Sequence, residues 1–82
     1  MSKWIRPITE EEAKTYARVS ELFDIYEQKH GEEAIDRAIE TIGDLVFAIY
    51  PYERKRAYDR VYRLAKRMGA TVEELKTWYC ID

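Results

Sequence analysis

Apolar side chains in this chain recur at helical spacing in three long stretches and one short one. Tyr16, Val19, Phe23 and Tyr26 follow one another at intervals of three and four, with Leu22 beside them. That spacing puts them on one face of a helix. Thr9 and Glu12 precede the stripe as a T-x-x-E capping box, and Glu10 and Glu11 favour the positive end of the helix dipole. His30-Gly31 should end the helix, because glycine is the usual residue just past a helix C-terminus.

Ile35, Ile39, Ile42, Val46 and Ile49 repeat the pattern, flanked by Ala38 and Leu45. Asp36, Arg37, Glu40 and Asp44 take the other side, so the spacing predicts a second helix over 32–49. Phe47 falls on its polar arc and must either pack on a neighbouring element or face solvent. Pro51 ends this helix and suits the first turn of the next. A third helix over 52–68 would bury Ala57, Tyr58, Val61, Leu64, Ala65 and Met68, with Gly69 closing it. Thr71 and Glu74 form a second capping box, opening a short fourth helix that turns Val72, Leu75 and Trp78 inward. Residues 1–8 read as an extended arm, with Trp4 and Ile5 packing over the bundle. The expectation is an all-α fold: one small four-helix domain over residues 1–82, with three longer helices and a short C-terminal one.

Composition supports a packed core at this size. The chain has 82 residues, 46% hydrophobic and 37% charged, which is a globular balance and length for one domain. Seven Tyr, two Trp and two Phe supply the large rings a short chain needs, each able to bury roughly 150–250 Å². Cys80 is the single cysteine, so no disulfide forms within the chain, and a packed thiol is expected there. The first residues lack the apolar run of a signal peptide, and no stretch suits a membrane span. The expected location is cytoplasmic, with no membrane partner. A self-contained helical chain of this size suits a phage or mobile-element protein as well as a host one.

Charge is divided unevenly. Residues 1–49 carry six Lys/Arg against eleven Asp/Glu, whereas residues 50–82 carry eight against five. The surplus of positive charge gathers on the third helix. Lys55, Arg56, Arg60, Arg63, Lys66 and Arg67 all lie opposite its apolar stripe, interrupted only by Asp59. Tyr52 and Tyr62 accompany them, and Tyr with Arg is a common pairing in binding hot spots. This basic face is the first candidate site, suited to a protein with an acidic surface or to phosphates. Ile25, Phe47 and Tyr50 form a second candidate, an apolar interface for a partner or a homodimer. At Ile25 and Phe47, cover by the arm or the fourth helix is the expected arrangement.

The run from Val61 to Trp78 reads Val-Tyr-Arg-Leu-Ala-Lys-Arg-Met-Gly-Ala-Thr-Val-Glu-Glu-Leu-Lys-Thr-Trp. It resembles the helix-turn-helix of Cro/repressor-type domains, and equally the last two helices of such domains. Small Ala65 permits close approach, Gly69 makes the turn, and Leu64, Met68, Leu75 and Trp78 fill the angle. The resemblance implies a tight C-terminal corner and, as an alternative function, nucleic-acid regulation by a dimer. Thr71, Val72, Glu73, Lys76 and Thr77 would then face the groove.

Catalytic chemistry has little material. One His and one Cys leave no triad, and Glu27-x-x-His30 supplies only half of a di-iron carboxylate motif. No metal and no cofactor is expected. The expected function is a non-enzymatic protein-binding module, a small regulator, inhibitor or adaptor of a larger machine.

Overall fold

A computed structural model describes residues 8–81 and shows four α-helices in that span. They are α1 (Glu10–His30), α2 (Glu32–Val46), α3 (Pro51–Met68) and α4 (Val72–Ile81). No strand occurs among the described residues. The packing of Trp4 and Ile5 falls outside them.

Both capping boxes form. Glu12 N–H donates to the Thr9 hydroxyl at 3.1 Å, and Thr9 N–H donates to the Glu12 carboxylate at 2.9 Å. The corresponding bonds at Thr71 and Glu74 measure 2.9 and 3.2 Å. Each box satisfies two backbone donors that the first turn would leave without partners. Gly69 ends α3 in the left-handed region, with φ 84° and ψ 29°. A side chain there would meet its own backbone, so glycine is the residue that makes this corner at least cost.

Helix α1 lies against α4, and α2 lies against α3. Val19 and Phe23 from α1, Ala38, Ile42 and Leu45 from α2, Val61, Leu64 and Met68 from α3, and Val72, Leu75 and Trp78 from α4 meet in one core. Trp78 anchors the α1–α4 pair. Its ring lies 4.4 Å from that of Phe23, and its indole N–H donates to the Ser20 hydroxyl at 3.1 Å. The polar end of the indole is thus satisfied inside an otherwise apolar contact. Arg18 fastens the outside of the same pair. One guanidinium nitrogen donates to Glu74 at 2.7 Å and the other to the Gly69 carbonyl at 2.9 Å.

Four expectations need correction. Helix α2 stops at Val46, not Ile49, and Ile49 is 77% exposed rather than inward. The residue before a proline is driven out of the helical region. Tyr50 accordingly sits at φ −90°, ψ 143°, and the chain leaves the helix at Phe47 to reach it. Tyr58 is 47% exposed and stacks on Tyr62 at the edge of the α3 stripe instead of entering the core. Cys80 is exposed, since it lies on the side of α4 away from Leu75 and Trp78. The fourth helix does not bury Ile25 or Phe47, which are 50% and 70% exposed, and cover by the arm falls outside the described residues. Helix α4 reaches Phe47 through an edge-to-face ring contact with Tyr79.

Candidate protein-binding surface

Two grooves run along the seam between α2 and α3. The larger, about 820 Å³, lies where α2 ends and α3 begins. Phe47, Ile49, Tyr50 and Tyr52 line it, together with Arg56, Arg60 and Tyr79. Its shape follows from local chemistry. Pro51 occupies the first turn of α3, and Tyr50, the residue before it, gives that helix no side-chain cap. Arg54 instead donates to the Ala48 carbonyl at 3.3 Å, which ties the start of α3 back to the end of α2.

The close approach of α4 sets the floor. A Cβ on Gly43 would stand 2.9 Å from the Tyr79 hydroxyl, so glycine at this point of α2 admits the ring. Tyr79 then meets Phe47 edge to face, with centroids 6.0 Å apart and planes at 77°. Edge-to-face geometry of this kind is favourable because the ring edge is positive and the face negative.

The electrostatics are mixed. Glu40 and Asp44 from α2, with Glu53 from α3, line the groove that Arg56 and Arg60 also enter. None of the five joins an ion pair among the described residues. The groove therefore offers charges of both signs around an apolar centre, rather than a uniformly positive surface.

The smaller groove, about 410 Å³, lies at the opposite end of the seam. Tyr26 and His30 of α1, Arg37 and Thr41 of α2, and Arg67 of α3 surround a floor that includes Ala38 and Leu64.

The basic face read from the sequence is thus real as an exposed surface but divided in use. Lys55, Arg56, Arg60, Arg63, Lys66 and Arg67 are all exposed, and none pairs with a carboxylate among the described residues. Arg56, Arg60 and Tyr52 enter the larger groove, and Arg67 the smaller one. Lys55, Tyr62, Arg63 and Lys66 line neither. The Lys66 ammonium lies 5.3 Å from the Tyr62 ring centre, within cation–π range, and that ring stacks on Tyr58. Phe47 and Tyr50 join the larger groove, whereas Ile25 on α1 lines neither groove. The sequence reading missed Ile49, because its spacing continues the α2 stripe. It also missed Tyr79 and Gly43, whose contact depends on how α4 crosses α2.

No helix among the described residues is long and apolar enough to cross a membrane. No cluster of three or more His, Cys, Asp or Glu among them is placed to hold a metal ion. Comparison with protein-family models, with curated proteins and with solved structures gives no match.

Proposed function

We propose that this chain is a non-enzymatic protein-binding module, a small regulator, inhibitor or adaptor. It engages its partner through the larger α2–α3 groove. One observation carries the reading. Phe47, Ile49, Tyr50 and Tyr52 are 70%, 77%, 62% and 67% exposed, side by side, in a chain that buries its other long stripes well. Fully burying one such side chain is worth about 1.5–3 kcal/mol. Leaving four in water at one helix junction is a cost that a protein contact would recover. Arg56 and Arg60 beside two tyrosines add the residue types that anchor interfaces. The matching partner presents an apolar ridge with carboxylates along the edge that meets the arginines.

The alternative, nucleic-acid binding by the α3–α4 corner, draws less support. Val72 is buried, Lys76 and Thr77 are half-buried, and Glu74 is held by Arg18. Of the positions that would enter a groove, Thr71 and Glu73 are the exposed ones, and Glu73 would repel phosphates.

The test is affinity capture with the intact chain and two variants, Phe47→Ala/Tyr50→Ala and Arg56→Glu/Arg60→Glu. A partner retained by the native chain should be lost with the first variant and weakened at least tenfold with the second. Retention unchanged by both would remove this surface from consideration. Binding to random duplex DNA that falls steeply with salt, and disappears in Arg60→Glu/Arg63→Glu, would put the alternative first. A dimer in sedimentation that Phe47→Ala turns to monomer would assign the groove to a second copy of the chain.

A further inference from the structure

The smaller groove differs from its neighbour in charge. The charged side chains that line it are two arginines, Arg37 and Arg67, with the His30 imidazole beside them. No carboxylate lines it, although two of its three walls come from the acidic half of the chain. The three basic groups come from three different helices, at the end of α1, the middle of α2 and the last turn of α3. They converge only because the fold brings those helices together. Two guanidinium groups opening on one groove are an arrangement that a bound anion would balance.

The groove also has the right build for a compact anion. Thr41 donates its hydroxyl proton to the Arg37 carbonyl at 2.8 Å, so the guanidinium groups and the imidazole are the main donors. Arg37 is bound to Glu33 only loosely, at 3.9 Å with both side chains exposed, so it can turn to a ligand at little loss. Ala34, Ala38 and Leu64 leave an apolar floor, and the rings of Tyr26 and His30, 4.5 Å apart, make the α1 wall. A volume of about 410 Å³ suits a small ligand.

We propose that this corner binds a phosphomonoester: Arg37, Arg67 and His30 hold the phosphate, and the alanine floor receives the group it is attached to. Arginine forks match phosphate oxygens two at a time, which a lone surface lysine does not do. The site is separate from the protein-binding groove and stands or falls independently of it. A free phosphorylated metabolite and a phosphorylated side chain share this chemistry.

The experiment is an NMR titration of the isotope-labelled full chain with inorganic phosphate, phenyl phosphate and a capped phosphotyrosine peptide, against chloride at matched ionic strength. Saturable shifts should centre on Tyr26, His30, Arg37, Thr41 and Arg67, with phenyl phosphate binding more tightly than inorganic phosphate. Arg67→Gln and Arg37→Gln should each weaken phenyl phosphate about tenfold or more. Arg63→Gln, on the same helix but outside the groove, should leave binding unchanged. A peptide tighter than phenyl phosphate would identify a phosphorylated side chain as the source, and equal affinities a small molecule. Shifts reproduced by chloride, or an Arg63→Gln loss equal to that of Arg67→Gln, would overturn the site in favour of a diffuse positive field. All three substitutions lie at exposed positions, so unchanged melting is expected and separates lost binding from lost folding.

Discussion

The α3–α4 junction and the α2–α3 junction are both a few residues long, and they use their side chains in opposite ways. At the first, Gly69 turns left-handed, Thr71 and Glu74 cap the next helix, and Met68, Val72 and Leu75 go into the core. At the second, no side chain caps α3, and Phe47, Ile49, Tyr50 and Tyr52 stand in water. A junction can plainly be made here from small and polar residues, since the same chain does so twenty residues later. The apolar cluster at 47–52 is therefore not required to turn the chain, and the proposed protein contact would account for it.

That contrast can be broken most severely at Leu75. It is fully buried, and Leu75→Ala should cost about 2–5 kcal/mol in urea unfolding. A loss under 1 kcal/mol would mean that α4 does not seal the core as described. Gly69→Ala should cost less, about 1–2 kcal/mol, because φ 84° strains any residue with a Cβ. Space is not the limit there, since nothing lies within 4 Å of the added atom. Ile49→Ser sharpens the other side. It should change unfolding free energy by no more than about 0.5 kcal/mol, despite removing a large apolar side chain. A clear destabilisation would show that Ile49 belongs to the core and weaken the binding proposal with it.

Features that depend on a few neighbouring residues were legible in the sequence. Thr9 with Glu12, Thr71 with Glu74, the glycine stops and the inward residues of α4 all follow from local spacing. The end of α2 was not, because Ile49 continues a perfect stripe while Pro51, two residues on, forces Tyr50 out of the helix. The basic face could be drawn on a helical wheel, yet its division could not. Arg67 shares a groove with Arg37 and His30 through the way α1, α2 and α3 are arranged, and nothing in their spacing along the chain announces it. Ser20 under the Trp78 indole escaped for the same reason.

The pairing of α1 with α4 sets an order on events during synthesis. The apolar face of α1 finds its main partner, Trp78, only after some fifty further residues have been joined. At about 5–20 residues per second, that face waits roughly 3–10 s after His30 is made. Throughout that interval Val19 and Phe23 have no α4 to lie against, and α2 with α3 is the half that can assemble first. The α1–α4 seam is thus the last of the main helix contacts that synthesis makes possible.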